Sequence, residues 1–169
     1  ALLRSGANIG DVLCVTGSLG DSAAGLYSLL HPFAHSSQED LIVVRNAHTM
    51  PTPRVDEGRV LVQFGPSVVT SLLDISDGLS GDLSHICERS NVGARIELAA
   101  LPMSQAMRRL AKMVGKEPEQ WALHGGEDYE LLFTVSPGHE QAVINAVGQA
   151  TGTDVSVIGS IVSATEGIK

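Results

Sequence analysis

The run Val68-Val69-Thr70-Ser71-Leu72-Leu73 ends abruptly in Asp74-Ile75-Ser76-Asp77-Gly78, and no other stretch restricts the fold so tightly. Six apolar or small residues in a row read as a buried strand. Beyond Gly78, the spacing of Leu79, Leu83 and Ile86 predicts a helix with one apolar face. The acidic turn therefore sits where a strand stops and a helix starts. Asp74 and Ser76 are two apart, so an extended chain turns them the same way. Asp77 falls at the helix start, next to backbone N–H groups with no intrahelical partner. Two carboxylates and a hydroxyl on one turn are hard oxygen ligands, suited to Mg²⁺ held together with substrate phosphates. The plainer alternative is that Ser76 or Asp77 caps the helix. A cap needs one residue, and a second carboxylate beside an apolar strand then lacks a reason.

Charge narrows the partners. With 11 basic and 19 acidic residues the net charge is −8, against a broad nucleic-acid or anionic-membrane surface. A phosphate ligand would need local help from arginine, Mg²⁺ or backbone N–H groups. Cys14 and Cys87 show no metal-ligand spacing and read as free core thiols in a reducing compartment. No signal peptide and no apolar run long enough to span a bilayer is present. The 169 residues fit one domain, and the start at Ala1 reads as a piece of a longer polypeptide.

In chain order, residues 11–16 predict a strand, then a glycine turn (Gly17-Ser18-Leu19-Gly20) and a helix with Ala23, Leu26, Tyr27 and Leu30 on one face. A glycine turn at a helix N-terminus can hold phosphate, but this one matches neither a Walker loop nor GxGxxG, and a tight turn packing a helix on a sheet is the favoured reading. Residues 36–50 predict a helix, broken by Pro51-Thr52-Pro53. Arg54 follows, able to bind an anion but read as a lone surface arginine with no specific partner, and 55–64 form a short helix. Residues 93–98 alternate as a half-exposed strand. Helices follow around Ala106, Leu110 and Met113 and over 117–123, with Trp121 in the core. A second unusual stretch, His124-Gly125-Gly126-Glu127-Asp128-Tyr129, leads into a strand over 131–135. Its glycines let backbone approach a ligand, or simply end a helix before solvated acids. A helix over 139–150 and a strand over 155–162 close the chain. The expected fold is α/β (α+β): a two-layer sandwich, a mixed β-sheet with helices packed on one face.

Five stretches then point to a known family. Arg4-Ser5-Gly6-Ala7, Thr16 through Leu26, Pro51-Thr52-Pro53-Arg54, Asp74-Ile75-Ser76-Asp77-Gly78-Leu79 and Gly125-Gly126-Glu127-Asp128-Tyr129-Glu130-Leu131 occur in this order. Together they resemble the C-terminal domain of the thiamine-monophosphate kinases, in the aminoimidazole ribonucleotide synthetase-like superfamily. The resemblance covers nearly the whole chain and implies a single C-terminal domain over 1–169, with the N-terminal domain absent. It implies transfer of the ATP γ-phosphate to thiamine monophosphate, several Mg²⁺ ions and a cytoplasmic homodimer. Asp74 and Asp77 inherit metal ligation, Arg4 and Ser76 contacts to ATP, and Glu127 a contact to thiamine monophosphate. No nucleophilic side chain is required. The isolated piece is expected to be inactive, because the family's other metal-binding aspartates lie upstream. Met50 departs from the basic residue common before the Pro-Thr-Pro-Arg turn. The competing readings are another ATP-cleaving synthetase of the superfamily, for aminoimidazole ribonucleotide or selenophosphate, and a non-catalytic nucleotide-binding module.

Overall fold

The computed structural model describes residues 1–31 and 37–169. Residue 36, where the sequence starts the second helix, lies outside them. The strands are β1 (Val12–Thr16), β2 (Val69–Asp74), β3 (Val92–Ile96), β4 (Leu131–Val135) and β5 (Val155–Ser163). They form one sheet in the order β2-β4-β1-β5-β3, and all four pairings are antiparallel. One isolated parallel bridge, Ala94 to Ile168, adds the C-terminal residues to the β3 edge. The mixed sheet expected from the sequence thus reduces to that single bridge.

The helices are α1 (Asp21–Leu30), α2 (Gln38–Thr49), α3 (Val55–Phe64), α4 (Leu79–Ser90), α5 (Gln105–Met113), α6 (Pro118–His124) and α7 (Glu140–Thr151). The α+β class is as the sequence indicates. The helices, however, cover both faces of the sheet rather than one. Leu13 and Val15 of β1 and Leu132 of β4 pack with Leu79, Leu83, Ile86, Met107 and Trp121 in the larger core. Their strand neighbours Cys14, Phe133 and Val135 face the other way, onto Leu61 of α3 and Val143 and Val147 of α7. The cause lies in the strands: β1 and β4 are apolar at nearly every position, and a strand apolar on both sides needs cover on both. The alternation over 93–98 suggested a one-sided sheet, but β3 is an edge strand and does not speak for the centre. Cys14 and Cys87 are free and buried. Burial pushes the Cys14 thiol up to about 12, so it behaves as a small apolar group.

The second layer makes a quantitative expectation. Phe133 lies on the α3–α7 face and is fully buried. Phe133→Ala should destabilise the fold by about 3–5 kcal/mol in chemical denaturation. A change below about 1 kcal/mol would mean that this face is not a core.

Candidate functional site: two crossed loops at the end of the β2–β4 pair

The strands β2 and β4 end side by side, with Asp74 opposite Leu131. The ladder does not stop there. Ile75 donates its N–H to the Glu130 carbonyl at 2.8 Å, Tyr129 to Ile75 at 2.9 Å and Glu127 to Ser76 at 2.8 Å. Residues 74–78 and 125–130 therefore continue as one paired unit past the sheet. Ile75 turns fully into the core. Alternation then directs Asp74 and Ser76 outward. Asp74 and Asp77 are exposed and Ser76 is half-buried. Glycine permits the close packing: a Cβ on Gly126 would come 2.7 Å from the Ser76 carbonyl oxygen, and Gly78 sits at φ 103°. Glu127 and Tyr129 also have positive φ, 64° and 53°. For residues with a Cβ this is uncommon and costs on the order of 1–2 kcal/mol each.

The acidic turn has a support that the sequence reading missed. Asp82, in the first turn of α4, is buried, and its Oδ2 accepts the N–H groups of Ser76 at 2.9 Å and Asp77 at 3.0 Å. Neither Ser76 nor Asp77 caps the helix; Gly78 is its N-cap, without a side-chain bond. The capping alternative therefore fails; Asp82 instead reaches back from the helix to hold the turn that precedes it. The available signal was an acid one turn after a glycine, where a side chain can reach back to free N–H groups.

This support leaves two carboxylates unused. Asp74 and Asp77 make no side-chain hydrogen bond or ion pair among the described residues, and unpaired exposed carboxylates beside a serine fit a hard divalent cation. The donor atoms of Asp77, Asp82 and His85 lie within 4.8 Å of one another, with Asp74 outside that group. Two of the three are committed or ill-suited: Asp82 already holds the turn, and imidazole is not a typical Mg²⁺ ligand.

Glu127 is exposed, with Oε2 3.6 Å from Nδ1 of His48. Ser22 Oγ lies 3.0 Å from the same nitrogen. A serine, a histidine and a glutamate in a row outline a nucleophilic triad. The geometry is not one, because both partners meet one ring nitrogen and nothing can pass through the ring. Arg4 follows Leu3, whose carbonyl accepts the Leu72 N–H at 2.8 Å, so it flanks the β2 edge. Its side chain makes no hydrogen bond or ion pair with either loop among the described residues.

Under the loops lies a second charged group. Glu130 is buried, accepts from Thr16 Oγ1 at 2.6 Å, and binds Arg54 through both Nε and Nη2 at 2.7 Å. Arg54 is thus an internal partner, not a lone surface residue. Its hydrogen bonds to Glu130 raise the guanidinium's affinity for its proton further. Asp128, between Glu127 and Tyr129, points inward and accepts the Gly20 N–H at 2.9 Å. Burial pushes its carboxyl up to about 7, against the pull of the Gly20 and Ser22 backbone and aided by the charges of Asp21 and Glu130. These groups edge a cavity of about 330 Å³.

Comparison with known proteins supplies the lineage. Residues 8–168 match the AIR synthase related protein, C-terminal domain. The chain belongs to that family. It is similar to the thiamine-monophosphate kinase of Escherichia coli K12, 43% identical over 171 residues, which cover 99% of this chain and 50% of the relative. A solved thiamine-monophosphate kinase from Stenotrophomonas maltophilia superposes with a TM-score of 0.85 at 34% identity, over 96% of this chain and 51% of that one. A structure described as AaThiL complexed with AMPPCP and TMP gives 0.80, also at 34% identity, over 99% and 50%. This AIR synthase related domain thus spans about half the length of the curated relatives it matches.

Asp128 yields a pH prediction. Its folded value is near 7 and its ordinary value 3.8. Between these the folded state binds the extra proton, so stability falls as pH rises, by up to about 1.4 kcal/mol per pH unit, and stays low above pH 7. Asp128→Asn should flatten the stability curve from pH 4 to 7 in denaturant titrations. An unchanged slope would remove Asp128 as its source.

Proposed function

We propose that this chain is the C-terminal part of an enzyme that transfers the γ-phosphate of ATP to thiamine monophosphate, giving thiamine diphosphate. One observation carries the reading: the two motifs that resemble the kinase family, which start at Asp74 and Gly125, meet in a single hydrogen-bonded loop pair. The similarity to the Escherichia coli kinase over 99% of the chain supports it. So does the relative complexed with AMPPCP, an unhydrolysable ATP analogue, and TMP, read here as thiamine monophosphate.

In this reading Asp74 and Asp77 hold Mg²⁺. The ions, when bound, neutralise the charge of two phosphate-bearing substrates and orient the transferring group. Ser76 contacts ATP from between the two aspartates, and Arg4 approaches it from the sheet edge. Glu127 faces the cationic thiamine. The chain's own work is positioning: the paired loops and Asp82 fix the carboxylates before substrate arrives. The upstream half of the protein, a homodimer and a cytoplasmic location belong to the same proposal. No helix among the described residues is long and apolar enough to cross a membrane.

The test is thiamine diphosphate formation by the full-length protein with ATP, Mg²⁺ and thiamine monophosphate. Asp74→Asn and Asp77→Asn should each lower kcat at least about 100-fold with little change in melting temperature. Glu127→Gln should raise KM for thiamine monophosphate and leave that for ATP within about twofold. Wild-type turnover by both aspartate variants across a magnesium titration would remove them as ligands, and absence of product from the wild type would remove the function.

A further inference from the structure

We propose that Asp128 is a positioning residue for the Glu127 contact to thiamine monophosphate, clamping the 125–130 loop onto the glycine turn Gly17–Gly20 and the first turn of α1. The inference rests on the function proposed above and adds to its site a side chain that acts through another. The turn Gly17-Ser18-Leu19-Gly20 has no part in the proposed chemistry, but it receives both inward acids of the loop. Gly17 leaves room for the Glu130 carboxylate, which would overlap any Cβ there. Gly20 gives its N–H to Asp128 Oδ2 at 2.9 Å. The N–H of Ser22, in the first turn of α1, also bonds to the Asp128 carboxylate.

Three features make this clamp more than a helix cap. The first is that α1 has no cap of its own. Its N-cap, Gly20, carries no side chain, and a Cβ there would come 2.8 Å from the Ala122 nitrogen and the Trp121 carbonyl carbon. Asp21, the first acid of the helix, takes the Ser104 hydroxyl instead. The free N–H groups of this helix end therefore depend on a carboxylate 108 positions away from Gly20. The second feature is the backbone on either side of that carboxylate. Glu127 and Tyr129 stand at φ 64° and 53°, a region that neither residue type favours. Such conformations persist where the surroundings fix them, and Asp128 is the fixed point between the two. With Asp128 held inward, Glu127 opens onto a cavity of about 500 Å³ and Tyr129 onto another of about 410 Å³. The third feature is that the same turn of α1 reaches the Glu127 side chain. Ser22 Oγ lies 3.0 Å from His48 Nδ1, and Glu127 Oε2 lies 3.6 Å from that nitrogen. One helical turn thus holds the loop's backbone through Asp128 and flanks Glu127 through His48. Loss of the Asp128 acceptor leaves part-buried N–H groups unpaired and frees Glu127 to leave its left-handed conformation.

The experiment uses the full-length protein and two readouts. In steady-state kinetics, Asp128→Ala should raise KM for thiamine monophosphate about tenfold or more while kcat stays within about threefold. Asp128→Asn keeps an oxygen acceptor of the same reach and should bring KM back to within about threefold of the wild type. The effect should vanish where Glu127 is already altered: Asp128→Ala combined with Glu127→Gln should match Glu127→Gln alone within about twofold. An unchanged KM in Asp128→Ala, or effects of the two substitutions that multiply, would overturn the assignment. Should the alanine protein fail to fold, Asp128→Glu, one methylene too long, takes its place in both readouts and should raise KM at least about threefold, an unchanged value again overturning it. Separately, amide hydrogen exchange needs no substrate. Asp128→Ala should speed exchange at residues 20–22 and 127–129 about tenfold or more and leave β1 and α7 unchanged. Equal acceleration throughout the chain, or none at these two segments, would overturn the assignment as well. Confined acceleration in a protein that forms no thiamine diphosphate would uphold the clamp while the phosphotransfer reading fell. Thiamine diphosphate formed by the wild type, with neither KM nor exchange responding to Asp128→Ala, would do the reverse.

Discussion

One buried carboxylate holds the functional turn in place. Asp82 Oδ2 takes two consecutive backbone N–H groups, from Ser76 and Asp77, and does so from the first turn of a helix fully packed through Leu79, Leu83 and Ile86. A buried charge with two N–H partners is tolerable where an unpaired one is not. That carboxylate is consumed by backbone, while Asp74 and Asp77 on the turn itself make no side-chain hydrogen bond or ion pair among the described residues. At this spot the protein's acidic residues thus divide between one that holds the turn and two that the proposed function gives to a cation.

The companion loop is anchored by a different device. Glu130, Arg54 and Thr16 join β4, the Pro-Thr-Pro turn and β1 in one bidentate, largely buried pair. Thr16 also accepts the Leu131 N–H through its Oγ1 at 2.8 Å, so a single side chain ties the ladder to the ion pair. Breaking such a pair from one side leaves an uncompensated charge, which makes it a device of geometry more than of net stability. Its effect is that residues 127–129 leave a rigid strand in a fixed direction. The left-handed backbone of Glu127 and Tyr129 then decides which cavity each one faces.

The strands and helices were legible because their signals are local: the apolar runs over 12–15, 69–73 and 131–135, and the glycines and prolines between elements. The two-sided sheet was legible in the same runs, yet the alternation of an edge strand outweighed it. The acidic turn and the Gly-Gly-Glu-Asp loop stood out from sequence because their residue types were wrong for plain turns. That they form one unit did not stand out, since it depends on β2 and β4 being neighbours. Arg54 looked like a surface residue because its partner Glu130 is 76 positions away. Asp128 looked solvated because its partner Gly20 is 108 positions away. Asp82 was missed for a smaller reason: its reach is local, but an acid in a first helical turn more often faces solvent than the chain before it.

The account stands on Asp74 and Asp77 being the ligands and Asp82 their scaffold. The direct measurement is anomalous scattering from crystals of the full-length protein grown with Mn²⁺ in place of Mg²⁺, together with AMPPCP and thiamine monophosphate. The account predicts manganese peaks coordinated by the carboxylates of Asp74 and Asp77, with Asp82 still bonded to the Ser76 and Asp77 N–H groups. A peak held instead by Asp77, Asp82 and His85 with Asp74 uncoordinated, or no peak at the loop pair, would contradict it.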